Sequence, residues 1–238
     1  IRFRTNYNYI SRFLLMKTLI VGPHPDDELL GCGGTILRRA IGGGTVGWLL
    51  MTAIAKGSGC RSPRIDQRAL EIDQVRQGLR IAPHHFYPLN FPTTELDQFS
   101  MSRLVGEISN TFSRFEPEEI LLPHPSDVHS DHRVTFEAAI ACTKWFRYPS
   151  VKRVITYETL SETEFGLNPV DSSFRPNLFV NITDQIDLKL ELLRIYQSEL
   201  GEHPFPRSLD AVRALALLRG SQMGVMAAEA FQILREFE

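Results

Sequence analysis

The chain has 238 residues, with 26 lysines and arginines against 28 aspartates and glutamates, so its formal net charge is -2. That length suits one α/β core and is short for two complete domains, and the near-neutral charge argues against nucleic acid or an anionic membrane as partner, which leaves a small molecule. Cys32, Cys60 and Cys142 are far apart in sequence and odd in number, which argues against a disulfide scaffold or a cysteine-ligated zinc cluster and favours a reducing cytoplasm.

The N-terminal stretch IRFRTNYNYISRFLLMKTLIVG contains Met16 directly before a strand-like segment. It shows neither a long apolar region nor a small-residue cleavage site, and no apolar run in the sequence reaches the ~18–20 residues that a membrane span needs. We therefore expect Met16 to be the natural start, residues 1–15 to be an extension, and residues 16–238 to form a single domain. A helix packed on a neighbour is the alternative for residues 1–15.

Strand-like apolar runs then alternate with helical patterns. The sequence predicts strands at 17–22, 45–53, 85–89, 118–124 and 152–159, separated by helices near 27–40, 66–80, 101–115 and 131–146. This alternation predicts βαβ units and hence an α/β fold, a Rossmann-like three-layer α/β/α sandwich with a mostly parallel sheet. In such sheets ligands bind beyond the carboxyl ends of the strands.

The last third of the chain gives weaker signals. It is predicted to contain a strand in 179–184, a helix near 185–200, a loop at 201–208 and a final helical region, 209–236, interrupted near Gly220 and Gly224. The run GCGG (31–34) lacks the Gly-x-Gly-x-x-Gly spacing of a dinucleotide loop and lies inside a predicted helix. We therefore expect these glycines to allow close packing of that helix on the sheet.

The first chemical motif, HPDDE (24–28), directly follows a predicted buried strand. His24 and Asp27 are spaced i, i+3, so one turn brings them to the same side, where imidazole and carboxylate would suit Zn²⁺ or another divalent transition metal. Asp26 could stay off the metal and hold a water. The alternative is an acidic first helical turn, favourable beside the helix dipole, with His24 as an ordinary loop residue.

A second motif, HPSDVHSDH (124–132), also follows a predicted apolar strand. Five of its residues can bind a metal or carry a proton: His124, Asp127, His129, Asp131 and His132. Because both motifs lie at carboxyl ends of strands, we expect them to share one cleft. The isolated histidines are assigned to packing or surface roles: His84, His85 and His203.

The paired motifs PHPDDELLGCGGTI (23–36) and HPSDVHSDH (124–132) resemble the LmbE/PIG-L family of zinc-dependent N-deacetylases. Their signature is a His-Pro-Asp-Asp-Glu turn followed by a later His-x-Asp-His loop, and the similar order of elements covers most of residues 16–238. The first motif of the family usually opens with Ala where this chain has Pro23, one residue outside the chemistry.

The resemblance implies one zinc ion per chain, or another divalent transition metal, bound by three side chains: His24, Asp27 and His132. It also implies that Asp26 is the general base, that His129 faces the substrate carbonyl and that Asp131 orients His129. Three protein ligands with an open position are typical of a catalytic zinc site, which activates a bound water. Asp127 and His124 either fix the ligands in place or make ordinary loop hydrogen bonds.

The loop AKGSGCRSPRIDQR (55–68) is basic. Its cations are Lys56, Arg61, Arg64 and Arg68. They are predicted either to bind an anionic part of the substrate, such as a sugar-nucleotide diphosphate, or to form a solvated loop. Arg68 and Glu71 resemble the Arg-x-x-Glu pair found after this loop in the family, a surface pair being the alternative. Arg219 or Glu229 could reach the mouth of the site.

The leading hypothesis is zinc-dependent hydrolysis of the N-acetyl amide of an N-acetylglucosamine-type sugar derivative, giving acetate and a free amine. Two alternatives stay open: an amidase of a thiol-sugar conjugate, and a non-catalytic metal-binding protein. The presence of Asp26 argues against the latter, because ligation alone does not require that extra carboxylate. The expected partner is an acetylated sugar, nucleotide-linked or lipid-linked in some forms, and the family habit suggests a homo-oligomer.

Overall fold

The structure is a computed structural model that describes residues 13–54, 63–167 and 173–238. Seven strands form one sheet: β1 (Thr18–Gly22), β2 (Val46–Ala53), β3 (Phe86–Pro92), β4 (Glu119–Pro123), β5 (Arg153–Tyr157), β6 (Leu178–Asn181) and β7 (Ala228–Glu236). Six α-helices accompany them in the described part of the chain: α1 (Asp27–Ile41), α2 (Pro63–Gly78), α3 (Met101–Phe115), α4 (Ser130–Ile140), α5 (Ile186–Leu193) and α6 (Leu209–Met223).

The strand order is β3-β2-β1-β4-β5-β7-β6. Strands β1 to β5 pair in parallel, whereas β7 runs antiparallel to both β5 and β6. The predicted α/β fold with a mostly parallel sheet is therefore confirmed. Because the chain winds from β1 to β3 on one side and from β4 onward on the other, β1 and β4 lie next to each other where the direction of winding reverses, which is where such sheets bind ligands.

Apolar side chains cover both faces of the sheet. Along β1, Ile20 belongs to a core with residues of α1, α2, α5 and α6, whereas Leu19 and Val21 belong to a second core with residues of α3 and α4. This alternation follows from the two-residue period of a strand. None of the helices in the described ranges is both long and apolar enough to cross a membrane.

Helix α1 packs unusually close to the sheet. A β-carbon at Gly31 would overlap the ring of Tyr157 on β5, and one at Gly34 would lie 2.8 Å from side-chain atoms of Ile182. The predicted packing role of the GCGG run is confirmed at these two positions. Close packing fixes the position of the helix whose first turn carries part of the HPDDE motif.

The prediction of a helical region through 209–236 is wrong beyond Met223. Helix α6 ends at Gly224, which has a φ of +77° and caps the helix, and residues 228–236 form strand β7. The stretch AEAFQILRE has no strong strand signal of its own, and it is extended because it pairs with β5 on one side and β6 on the other. Helix α4 also ends earlier than predicted, at Ile140, and α5 ends at Leu193.

Residues 1–12 fall outside the described residues, so the division into an extension over 1–15 and a domain over 16–238 stays a prediction.

Candidate active site

Two loops meet beyond the carboxyl ends of neighbouring strands. The HPDDE loop joins β1 to α1, and the HPSDVHSDH loop joins β4 to α4. The ring centroids of His24 and His132, one from each loop, lie 5.3 Å apart. The expectation that both motifs share one cleft is therefore met by the geometry. That cleft has a volume of about 300 Å³.

Three potential ligand atoms from these loops converge. The Oδ2 atom of Asp27 lies 3.5 Å from Nδ1 of His24 and 3.3 Å from Nε2 of His132. Metal–nitrogen and metal–oxygen bonds of about 2.0–2.2 Å arranged tetrahedrally separate neighbouring ligand atoms by roughly 3.3–3.5 Å. Both nitrogens thus lie at the distance from the carboxylate oxygen that a zinc-like divalent cation requires, and all three atoms lie within 4.8 Å of one another.

Each of these histidines is held by an aspartate on its other nitrogen. Nε2 of His24 lies 2.9 Å from Oδ2 of Asp131, and Nδ1 of His132 lies 2.8 Å from Oδ2 of Asp127. A carboxylate behind a ligand histidine fixes the orientation and tautomer of the ring and raises its basicity. This arrangement assigns Asp127 to holding His132, one of the two roles that the sequence left open for it.

The two supporting aspartates are themselves fixed. Asp131 accepts hydrogen bonds from the backbone N–H groups of Thr94 and Leu96, at 2.7 and 3.1 Å. Asp127 accepts one from the hydroxyl of Thr163 at 2.7 Å. A second set of nearby donor atoms, from His24, His129 and Asp131, is also compact. It suits a metal less well, because both oxygens of Asp131 already accept hydrogen bonds.

The charges of the cluster favour a cation among them. Burial alone would raise the pKa of Asp27, but His132 and His24 outweigh that effect and hold this pKa well below its usual range. Burial likewise opposes charge on His24, yet Asp131 and Asp27 raise the pKa of His24 to about 9. The carboxylates of the cluster therefore stabilise positive charge among them.

Asp26 borders the cleft beside this cluster without belonging to it. Its backbone adopts a φ of 125°, and its Oδ2 atom lies 3.3 Å from Nη1 of Arg207. Burial and the neighbouring charge of Asp27 raise the pKa of Asp26 to about 8, against the opposing effects of Arg207 and His24. The side chain is thus a proton acceptor or donor positioned next to the ligand atoms.

The third carboxylate of the motif, Glu28, is fully buried. It accepts hydrogen bonds from the hydroxyl of Tyr196 at 3.1 Å and from the backbone N–H of Asp26 at 3.0 Å. Glu28 does not line the cleft, and its bond to the Asp26 backbone supports the turn that carries Asp26. The three acidic residues of the motif therefore differ in role: Asp26 borders the cleft, Asp27 is a candidate ligand and Glu28 supports the turn.

His129 caps the first turn of α4 and lines the cleft. Its Nδ1 atom accepts a hydrogen bond from the backbone N–H of Asp131 at 3.0 Å. Because that nitrogen is an acceptor, the neutral ring carries its hydrogen on Nε2. Burial and the proximity of His24 lower the pKa of His129, which also favours the neutral ring.

The geometry differs here from the predicted role of Asp131. The Asp131 carboxylate contacts His24 rather than the ring of His129, and the contact to His129 runs through the backbone instead. The sequence could not distinguish these partners, because His24 comes from the other loop. Asp131 therefore supports a candidate metal ligand in this structure.

Two of the predicted substrate contacts, Arg64 and Arg68, line the cleft, whereas Arg61 and Lys56 lie outside the described residues. The guanidinium of Arg68 is engaged by acidic side chains: it forms an ion pair with Glu199 and lies 3.4 Å from Glu71. The predicted pairing of Arg68 with Glu71 is present. Arg68 is consequently not an unpaired cation that waits for a phosphate.

Arg219 and Glu229 do not line this cleft. Arg219 forms a two-pronged ion pair with Glu158, at 2.6 and 2.7 Å. Glu229 is buried and accepts hydrogen bonds from the backbone N–H groups of Gly34 and Thr35, each at 2.8 Å. It holds helix α1 in place, so a direct approach of Glu229 to the cleft is excluded by this geometry.

Sequence reasoning missed Arg207 and Glu199. Both line the cleft; Arg207 contacts Asp26, and its Nη1 atom lies 3.9 Å from Glu199. The stretch GEHPFPRS gave no signal beyond its prolines, which predict a loop. Its approach to the HPDDE turn, 181 residues away in the chain, depends on the folded path and not on any local pattern.

Comparisons with known proteins agree with this geometry. The family described as GlcNAc-PI de-N-acetylase, PIG-L, matches residues 19–143, more than half of the chain. The diacetylchitobiose deacetylase of Thermococcus kodakarensis is 27% identical over 231 residues, which cover 92% of this chain and 83% of that protein. Both motifs lie within the region that the family matches.

Solved structures share the fold. The N,N'-diacetylchitobiose deacetylase of Pyrococcus horikoshii, in complex with an inhibitor, superimposes with a TM-score of 0.74 at 23% identity, covering 99% of this chain and 94% of that one. A protein from Thermus thermophilus gives a TM-score of 0.73 at 24% identity, covering 94% of this chain and 97% of that one. Together, the paired loops, the fold and the family match establish that this chain belongs to the PIG-L (LmbE-like) family of N-deacetylases.

Proposed function

We propose that this protein hydrolyses the N-acetyl amide of an N-acetylglucosamine-type sugar derivative, releasing acetate and the free amine. The reaction would depend on one divalent metal ion, preferentially zinc, held by His24, Asp27 and His132. The observation that carries the proposal is the pair of histidine nitrogens 3.5 and 3.3 Å from one oxygen of Asp27, with the separate carboxylate of Asp26 beside them.

When bound, such an ion acidifies a water molecule and polarises the amide carbonyl. Asp26 would take the proton of the attacking water and deliver it to the departing nitrogen. The pKa of Asp26, raised to about 8 by burial and by Asp27, lies near neutrality, where a group can both accept and donate. Arg207, 3.3 Å away, would orient the carboxylate and temper its charge.

His129 would stabilise the charge that develops on the carbonyl oxygen. The bond from the Asp131 backbone N–H to Nδ1 leaves the Nε2 hydrogen available to the cleft. A neutral imidazole can donate this hydrogen bond without a change of protonation during the reaction. This assignment keeps the predicted place of His129 opposite the substrate carbonyl.

The other wall of the cleft suits a hydroxyl-bearing ring. Arg68 and Glu199 line it as an ion pair, with Glu71 buried behind Arg68, and such a pair of donors and acceptors can exchange hydrogen bonds with sugar hydroxyls. The diacetylchitobiose deacetylase relative supports an acetylated sugar as the substrate class. A nucleotide or lipid attached to the sugar stays a further hypothesis, for which Arg64 is the described residue best placed.

The test is release of free amine from N-acetylglucosamine compounds, in free, nucleotide-linked and lipid-linked forms. The purified protein is assayed with zinc, after removal of the metal by a chelator, and after zinc is restored. We expect amine release that disappears with the metal and returns with it. Activity unaffected by complete metal removal, or no amine from any compound at full zinc occupancy, would contradict the proposal. As a control, the variant Asp184→Asn, which changes an exposed aspartate, should respond to metal removal and restoration as the unchanged protein does.

A further inference from the structure

A second cavity of about 410 Å³ lies beside the catalytic cleft. Its described walls come from the start of the loop after β4, from residues 158–166 and 173–174 after β5, and from one side of helix α6. Thr159 lines both this cavity and the cleft, so the two spaces adjoin at that residue. The Thr159 hydroxyl is buried and has no hydrogen-bond partner among the described residues.

The wall of the cavity carries a neutralised pair of charges. Arg219 and Glu158 bond through two parallel contacts of 2.6 and 2.7 Å, and their side chains are only 15% and 13% exposed. Because the pair cancels its own charge, it does not favour a phosphate. It still presents hydrogen-bond donors and acceptors in a fixed plane, which suits hydroxyl groups.

The rest of the wall mixes polar and apolar groups. Ser126 and Thr163 contribute polar side chains, whereas Leu215 and Phe174 contribute apolar surface. Arg219 also lies over the Phe174 ring, 5.9 Å from its centroid. A sugar ring has hydroxyls at its edge and C–H groups on its faces, so it matches a wall of this composition better than a purely apolar or a charged group would.

We propose that this cavity binds the part of the substrate that is attached to the acetylated sugar, and that this part is a neutral hydroxylated ring such as a second hexosamine. The inference rests on the proposed function, because it takes the neighbouring cleft as the place of the acetylated sugar. It gives Arg219 a role in substrate binding at a distance from the metal cluster. Thr159 then lies at the junction between the two rings.

The test measures binding in the zinc-loaded Asp26→Asn protein, which is not expected to turn the ligands over. Calorimetry compares N-acetylglucosamine, N,N'-diacetylchitobiose and N-acetylglucosamine 1-phosphate. We expect the disaccharide to bind at least tenfold more tightly than the monosaccharide, and the phosphate to give no comparable gain. Equal affinities for the two sugars, or a tenfold gain from the phosphate, would overturn the inference.

Three variants of the Asp26→Asn protein test whether the preference for the disaccharide comes from this cavity. Leu215→Trp fills the cavity and should reduce the preference for the disaccharide to less than twofold, whereas Leu218→Trp, on the exposed side of the same helix, should keep it. Arg219→Gln, a smaller change that serves if Leu215→Trp does not fold, should reduce the preference at least threefold. A full preference in either folded cavity variant would refute the assignment.

Because the readout is binding, its failure is distinct from failure of the proposed function. If the Asp26→Asn protein binds the disaccharide through this cavity but the zinc-loaded protein without that change releases no amine, the hydrolysis is refuted and the cavity is supported. A protein that releases amine but shows no preference refutes the cavity alone.

Discussion

Strands β1 and β4 carry buried charged groups at both of their ends, and the two ends differ in how those charges are balanced. At the amino ends, Glu119 accepts hydrogen bonds from Arg39 and from Arg153, and Arg153 also contacts Glu236 at 3.1 Å. Two arginines thus face two glutamates. At the carboxyl ends, acidic groups crowd around two histidines, and Arg207 is a half-buried arginine that touches Asp26.

This difference in charge balance indicates a structural role for the amino-end network and a functional role for the carboxyl-end cluster. A buried network whose charges cancel needs no additional ion or proton to balance it. A buried cluster with an acidic excess needs protons or a metal ion, and it shifts the pKa values of its members toward values useful in catalysis. Burial and Asp27 raise the pKa of Asp26 to about 8 at this end of the sheet.

The largest effect is expected for Asp26→Asn. Loss of the proposed general base should lower kcat for amine release by about two to four orders of magnitude while the zinc content per chain is retained. The matched control is Glu28→Gln in the same motif, expected to lower kcat less than tenfold, because Glu28 does not line the cleft and an amide keeps an oxygen for the Asp26 backbone N–H. Equal losses in both variants, or near-normal kcat in Asp26→Asn, would remove Asp26 from its role.

At the other end, Glu119→Ala tests the structural network. Removal of one partner leaves Arg39 and Arg153 buried without their shared carboxylate, which should lower the free energy of unfolding by about 3–5 kcal/mol. Urea denaturation measures this change. As a control, Asp187→Ala breaks the exposed pair with Arg213 and should change stability by less than about 1 kcal/mol. A loss below about 1 kcal/mol for Glu119→Ala would show that the network at the amino ends of β1 and β4 does not stabilise the fold.

Asp127→Asn should weaken the metal site without abolishing it. Asp127 holds the far nitrogen of His132, and loss of such a supporting carboxylate lowers metal affinity by about 10–100-fold. Competition with a zinc-binding dye gives the affinity, and Asp184→Asn, an exposed aspartate, is the control. An unchanged zinc affinity would show that His132 does not depend on this carboxylate.

Helix α1 contributes to both charged clusters: its first turn carries Asp27, at the carboxyl ends of β1 and β4, and its last turn carries Arg39, at their amino ends. Gly31→Ala should therefore lower the free energy of unfolding by about 1–3 kcal/mol, because its β-carbon would overlap Tyr157. The contrasting variant is Gly106→Ala in α3, where an added β-carbon has no atom within 4 Å apart from its chain neighbours and the backbone of its own helix, and a gain of about 0.5–1 kcal/mol is expected. Thermal unfolding of both variants measures the difference, and a stabilised Gly31→Ala would contradict the packing.

The position of the candidate site at the carboxyl ends of β1 and β4 could be predicted from the sequence, because it depends on short local patterns. The HPDDE and HPSDVHSDH motifs each follow an apolar strand directly, so a parallel sheet was enough to predict that they share a cleft. The i, i+3 spacing of His24 and Asp27 likewise indicated that these two side chains lie together. Local patterns of apolar residues also predicted strands β1 to β5 and the helices between them.

Contacts between distant segments could not be predicted in this way. The Asp131 carboxylate contacts His24 of the other loop, and Arg207 reaches Asp26 from a proline-rich loop late in the chain. Strand β7 is extended because it pairs with β5 and β6, against the helical appearance of its own residues. Each of these features depends on the order of strands in the sheet, which no single segment specifies.

Anomalous X-ray diffraction at the zinc absorption edge, from crystals grown with zinc, tests the proposed metal site. The proposed site predicts one strong peak per chain between Nδ1 of His24, Oδ2 of Asp27 and Nε2 of His132. A peak among His24, His129 and Asp131 instead, or no peak at the carboxyl ends of β1 and β4 at full zinc occupancy, would contradict it.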